Sequence, residues 1–181
     1  MISEDLARAI RIVFLDVDGV LTDGAVFIGA LPGGESVELK RFDIQDGLGV
    51  KMLQWAGIEV AIVSGRVSDA TRVRATELGI SECHQDPEAE KLPLVRRMLE
   101  ERDLEWGQAA HLADDLADLP VLRAVGLPAA VANAVPEVRE ASLWKGTRQG
   151  GNGAVREFAR ALLEARGEWS RRVEEYCDAR S

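Results

Sequence analysis

Short apolar runs recur along the chain, and each stops abruptly at polar residues. Residues 10–17 are rich in Ile, Val, Leu and Phe and run into Asp16, Asp18 and Gly19. Residues 58–63 end at Ser64-Gly65-Arg66, and residues 109–113 end at Asp114-Asp115. A shorter apolar run at 127–131 and a short strand expected over 80–84, Ile-Ser-Glu-Cys-His, complete a set of five. Continuous apolar runs of this length predict strands buried on both faces, with polar groups at their carboxyl ends. Between them, apolar residues recur at helical spacing. Helices are expected over 46–56, closed by Gly57, and over 68–78, with Ser68 as N-cap and Gly79 beyond. Others are expected over 87–102 (Pro93 near the first turns), 116–125 (stopped by Gly126), 152–165 and, as a charged tail, 168–178. Residues 22–42 differ: two short β-type segments flank Leu31-Pro32-Gly33-Gly34, predicting a β-hairpin flap.

Strands alternating with helices predict an α/β fold, a three-layer Rossmann-like parallel sheet with helices on both faces. The simplest organisation is one domain over 1–181, with a hairpin flap at 24–42 and a C-terminal helix and tail at 150–181. No repeat or low-complexity segment interrupts it.

Composition changes this picture little, and charge changes it in one respect. The 181 residues are 46% hydrophobic and 29% charged, ordinary for a globular chain able to bury a core. The net charge of −9 leaves no basic footprint for nucleic acid. An anionic substrate would need local cations or a metal to overcome the global field. Cys83 and Cys177 stand alone and read as free thiols of a reducing compartment. The N-terminus lacks signal-peptide features and no apolar stretch is long enough to span a bilayer, so the expectation is a cytoplasmic protein without membrane or nucleic-acid partners.

The polar strand ends carry the candidate chemistry. Asp16 and Asp18, two apart where the chain turns, can divide attack on phosphorus and proton handling between them. Ser64, Gly65 and Arg66 offer a hydroxyl, backbone N–H groups and a cation to a phosphate. Asp114, with Asp115 and Asp118 close by, can join Asp16 around a hard cation. Lys91 can supply a positive point charge. Each has a blander alternative: the acids as turn or cap residues, Lys91 as a solvated helix lysine, Arg66 as the partner of a neighbouring carboxylate. His84 and His111 read as structural, Cys83 as a small buried hydrophobe, and Trp55, Trp106 and Trp169 as core or interface residues.

Taken in order, Asp16-Val17-Asp18-Gly19-Val20, Ser64-Gly65-Arg66, Lys91 and Asp114-Asp115 resemble the four motifs of the haloacid dehalogenase superfamily of phosphotransferases. The resemblance spans residues 10–160, nearly the whole chain. It implies Asp16 as nucleophile, forming an aspartyl-phosphate, and Asp18 as general acid and then base. It implies magnesium held by Asp16, the backbone carbonyl of Asp18 and Asp114, and phosphoryl oxygens held by Ser64 and Lys91, with Asp115 and Asp118 in support. About 45 residues separate Asp18 from Ser64 and about 25 separate Ser64 from Lys91, which leaves room for a flap but no cap domain. Gly19-Val20-Leu21-Thr22-Asp23-Gly24, Phe42-Asp43-Ile44-Gln45-Asp46-Gly47 and 150–157 resemble the capless group that acts on phosphorylated eight- and nine-carbon keto-sugar acids. Membership implies a homotetramer, with a neighbouring subunit covering each active site, and a role in lipopolysaccharide biosynthesis. It implies 3-deoxy-D-manno-octulosonate 8-phosphate as substrate, with a nonulosonate 9-phosphate or another small phosphorylated metabolite as the alternative. A non-catalytic scaffold fits less well, because every motif residue is present. Two positions depart from the group: Ala113 replaces the usual Gly, and Gln45 stands where the octulosonate enzymes carry Arg.

Overall fold

The computed structural model describes residues 1–181. Six parallel strands form the central sheet: β1 (Ile12–Leu15), β4 (Glu59–Ser64), β5 (Cys83–Gln85), β6 (Ala109–Ala113), β7 (Leu127–Ala130) and β8 (Trp144–Lys145), in the order β5-β4-β1-β6-β7-β8. β2 (Phe27–Ala30) and β3 (Ser36–Leu39) pair only with each other, as the antiparallel hairpin that the turn chemistry implied. A bridge between Thr22 and Phe42 ties the base of this flap together.

Strand periodicity divides the core. Along β1, Ile12 and Phe14 face one side and Val13 and Leu15 the other, all fully buried. The larger side packs against α1 (Glu4–Ala9), α2 (Ile44–Trp55), α3 (Asp69–Glu77), α6 (Pro136–Ala141) and α7 (Ala154–Ala165), through residues such as Leu53, Leu78, Val138 and Phe158. The smaller side packs against α4 (Lys91–Glu100) and α5 (Leu119–Leu122), through Val95, Met98, Leu99 and Val121. The result is the three-layer arrangement expected, with no cap domain. No helix is long and apolar enough to cross a membrane.

Several boundaries differ from expectation for local reasons. The helix expected from residue 87 begins at Lys91, because Ala89 takes a positive φ of 55° inside a turn closed by its N–H to the Asp86 carbonyl. The helix expected over 116–125 is a 3-10 turn at Leu116–Asp118 followed by the single turn of α5, with Pro120 at its start. Ser68 occupies the N-cap of α3, yet its hydroxyl caps nothing; its backbone N–H instead donates to Gln85 Oε1 at 2.6 Å. The short elements α1, α6 and β8 were not anticipated. The tail helix α8 (Trp169–Asp178) is present and buries no residue fully.

Candidate active site

All the motif-bearing strands point their carboxyl ends at one opening, and β1 lies at its centre. After Asp16 the chain makes an irregular turn over Val17–Leu21, fastened by Thr22. The Thr22 hydroxyl accepts from the N–H groups of Gly19 (3.4 Å) and Gly24 (3.2 Å) and donates to the Val17 carbonyl at 3.2 Å. Gly19 has φ +93°, and a Cβ there would lie 1.9 Å from Asp114 Oδ2. Only glycine allows both the turn and the close approach of the Asp114 carboxylate. Asn133 clamps the same turn: its amide donates to the Gly19 carbonyl (2.9 Å) while its oxygen accepts from Gly150 N–H (2.7 Å).

Asp16 is buried at 7% exposure, and Lys91 reaches it from the first residue of α4 at 2.7 Å. The same ammonium donates to Asp118 Oδ1 at 2.6 Å, and His111 Nε2 meets that oxygen at 2.8 Å. His111, fully buried on β6, has its other ring nitrogen 3.3 Å from the Phe14 carbonyl. A continuous line His111–Asp118–Lys91–Asp16 therefore runs beneath the opening.

The electrostatics follow from burial and charge count. Burial, then Asp118, push the Asp16 carboxyl up, and Lys91 opposes them. Asp114 is pushed up to about 8 by burial and by the charges of Asp16 and Asp118. Burial works against the Asp118 anion, but His111 and Lys91 outweigh it and hold that carboxyl below its ordinary value. Lys91 is raised although burial disfavours its charge, because Asp16 and Asp118 flank it.

A second charged cluster connects the site to the flap. Lys40, its side chain fully buried beyond β3, contacts Asp18 Oδ1 at 2.7 Å. Arg66 pairs with Glu38 of β3 at 2.6 Å and approaches Asp18 Oδ2 at 3.8 Å. Arg66 thus pairs with carboxylates here, one of the two alternatives its position allowed. Ser64 is buried, with its hydroxyl turned to the backbone of Arg66 (3.2 and 3.3 Å), and Gly65 packs against Ala89. Asp115 is exposed, and its carboxylate accepts from Leu116 N–H at 2.7 Å.

Oxygens of Asp16, Asp114 and Asp118 lie within 4.8 Å of one another. Asp114 Oδ1 and Asp118 Oδ2 are buried without any hydrogen-bond partner. Three converging carboxylates, one lysine and orphaned oxygens fit a hard divalent cation with oxygen ligands. The Asp18 side chain is outside this cluster and faces the flap. Ala113 leaves the carboxylates of Asp114 and Asp118 within that cluster.

Lys40, Glu38, Asn133 and the catalytic-side position of His111 were not foreseen. Lys40 and Glu38 reach Asp18 and Arg66 through folding of the flap, which local spacing does not encode. The one available signal was His111 on a buried strand three residues before Asp114, since a buried imidazole needs partners.

No protein-family model matches the chain. It is 40% identical over 161 residues to the 3-deoxy-D-manno-octulosonate 8-phosphate phosphatase KdsC of Escherichia coli (strain K12), covering 89% of this chain and 83% of that protein. The crystal structure of 3-deoxy-D-manno-octulosonate 8-phosphate phosphatase from Moraxella catarrhalis, in complex with magnesium ion, phosphate ion and a KDO molecule, superposes with TM-score 0.88. Identity there is 34%, over 96% of this chain and 97% of that one. A HAD superfamily (subfamily III A) hydrolase from Legionella pneumophila matches at 36% identity and TM-score 0.86, over 97% and 93% of the two chains. With that identity and coverage on top of the strand-end carboxylates and the capless sheet, the chain belongs to the KdsC family of haloacid dehalogenase superfamily phosphatases.

Proposed function

We propose that this phosphatase hydrolyses 3-deoxy-D-manno-octulosonate 8-phosphate through an aspartyl-phosphate on Asp16. The observation that carries the reading is the buried Lys91 ammonium shared by Asp16 and Asp118 beside the orphaned oxygens of Asp114. In the first step Asp16 Oδ attacks phosphorus and the bond to the sugar oxygen breaks. Asp18 delivers a proton to that leaving oxygen; its Oδ2 is buried without a hydrogen-bond partner. In the second step water attacks phosphorus, Asp18 takes the water's proton, and the Asp16 carboxylate leaves. Lys91 and the Ser64–Arg66 turn hold phosphoryl oxygens, and Asp118 with His111 keeps Lys91 in place. Magnesium, held by Asp16, the Asp18 carbonyl and Asp114, would neutralise charge on the phosphoryl group.

The flap supports a shared, water-excluding site. Phe27, Ile28 and Leu39 are 62%, 75% and 62% exposed on a hairpin whose Lys40 and Glu38 are turned inward. An apolar surface of this kind marks an interaction site, consistent with a cytoplasmic homotetramer in which a neighbour completes each opening. Gln45 favours a second reading, a nonulosonate 9-phosphate, because the cation of the octulosonate enzymes is missing there. Phosphate release from octulosonate 8-phosphate, nonulosonate 9-phosphates and hexose phosphates, with magnesium, tests the assignment. A kcat/KM highest for the octulosonate ester is expected; equal values for hexose phosphates would overturn the substrate assignment, and a preference for the nonulosonate would install the second reading.

A further inference from the structure

The flap hides one lysine that its open surface does not explain. β2 is exposed along its whole length, and Leu39 on β3 faces outward. Lys40, the residue after β3, nevertheless has a side chain of 0% exposure. Strand alternation turns Glu38 and Lys40 to the face opposite Leu39. Desolvating an ammonium is costly, so a buried lysine is retained only where it is paired. Its partner is Asp18, with Nζ donating to Oδ1 at 2.7 Å. Glu38 Oε1 lies 3.8 Å from the same ammonium, and Glu38 Oε2 accepts from Arg66 at 2.6 Å. Two cations and two carboxylates alternate here, so their charges cancel locally.

Both ends of the Lys40–Asp18 contact are fastened to Thr22. The Thr22 hydroxyl holds the turn that carries Asp18, and the Thr22 backbone bridges Phe42, two residues beyond Lys40. Hydrogen bonds close to each partner therefore set the separation of ammonium and carboxylate. The contact also makes the two Asp18 oxygens inequivalent. Oδ1 is bonded to Lys40. Oδ2 is buried without a hydrogen-bond partner, and Arg66 Nε, at 3.8 Å, is beyond hydrogen-bond reach of it.

We infer that Lys40 is a positioning residue for the reaction: it fixes Asp18 Oδ1 from the flap and so presents Oδ2 as the atom that gives a proton to the leaving oxygen and later takes one from water. The inference rests on the assignment of Asp18 as acid and base above. Glu38 and Arg66 complete the arrangement by latching the same strand to the turn after β4. Asp18 is then oriented for proton transfer only when the flap is docked, which spends the ordering cost before substrate arrives.

Leaving-group dependence in the magnesium-loaded enzyme tests this. The leaving group of 4-nitrophenyl phosphate departs without a proton, whereas that of a sugar phosphate needs one. In Lys40→Met, kcat/KM for the best sugar phosphate of the panel above should fall about tenfold or more, while kcat/KM for 4-nitrophenyl phosphate stays within about threefold of wild type. The water step still needs Asp18, so rapid mixing of this variant with 4-nitrophenyl phosphate should release about one nitrophenol per active site before a slower steady state. A flap that was merely loosened would lower kcat/KM for both esters alike and give no such burst. Asp18→Asn should show the same split more strongly, and Lys40→Met should add little to it in the double variant. Near-ultraviolet circular dichroism checks the fold; if Lys40→Met folds poorly, Lys40→Gln, one atom shorter and uncharged, replaces it under the same criteria. With Asp18→Asn defective, the inference alone is overturned by unchanged or faster turnover in Lys40→Met, by equal losses for both esters, or by losses that multiply in the double variant. Wild-type kinetics in Asp18→Asn would overturn the reading of Asp18 itself and the inference with it.

Discussion

Replacing Lys91 by Met separates the electrostatic role of this residue from its packing, since Met keeps the length and apolar body of the side chain. The Lys91 side chain is 3% exposed, and its partners Asp16 and Asp118 are 10% and 1% exposed. Removing the ammonium leaves those two carboxylates beside Asp114 with only His111 to offset them. Breaking one side of a buried ion pair costs about 3–5 kcal/mol, more than an exposed pair by several-fold. For a chain of this size that corresponds to a fall in Tm of roughly 6–20 °C. Urea denaturation in EDTA should show this loss at pH 8 and a smaller one at pH 5, where protonation of the raised carboxyls relieves the repulsion. Saturating magnesium should return part of the deficit, about 2.7 kcal/mol at a hundred times its Kd. Turnover with magnesium should fall about 10²–10³-fold, as for loss of one strong donor to a transition-state oxyanion. Equal stability of wild type and variant in EDTA would refute the reasoning, because the carboxylates would then not need the lysine.

Removal of magnesium should have a pH signature of defined sign. Asp114 is pushed up to about 8 from 3.8, and Asp16 is raised too, so the folded metal-free protein prefers their protonated forms. Its stability should be fully present near pH 4 and decline as pH rises through about 8. The Tm difference between magnesium-loaded and EDTA-treated protein should therefore widen over that window, and a constant difference would contradict the assigned cluster. Gly19→Ala should abolish magnesium-dependent turnover and destabilise the fold by about 1–3 kcal/mol, since the residue must adopt a positive φ while its Cβ displaces Asp114; calorimetry should find no magnesium binding. His111→Phe should lower kcat by about 10–100-fold with KM little changed, and His111→Gln, which restores a donor to Asp118, should recover part of that loss.

β1, β4, β6 and β7 were legible because burial on both faces leaves nearly continuous apolar runs, broken in β6 by His111, and the Asp and Ser endings of β1, β4 and β6 marked the edge of the sheet; β5, half-buried and largely polar, was expected over 80–84 and forms at Cys83–Gln85. Asp16 and Asp114 converge because each directly follows a strand, and Lys91 and Asp118 join them from the starts of α4 and α5. The segments that went unread are short or set by distant contacts. β8 is two residues long, and α1 and α6 are six each, too short for a periodic signal. The start of α4 depends on the Ala89 conformation, which no apolar pattern reveals. Lys40 and Glu38 looked like ordinary polar residues of a hairpin; only the folded flap brings them to Asp18 and Arg66. His111 was expected to be structural, and its ring indeed bonds Phe14, but the Asp118 contact ties it to the catalytic side as well.

The central claim is covalent chemistry at Asp16, and mass spectrometry of acid-quenched enzyme tests it most directly. Enzyme mixed with a saturating phosphomonoester and magnesium, quenched within one turnover and digested, should yield the Asp16 peptide carrying one phosphoryl group. With 4-nitrophenyl phosphate, whose leaving group needs no proton, the modified fraction should rise in Asp18→Asn, where the water step lacks its base, and it should vanish in Asp16→Asn together with turnover. Full turnover by Asp16→Asn, or an Asp16 peptide never modified while phosphate is released at the wild-type rate, would contradict the mechanism.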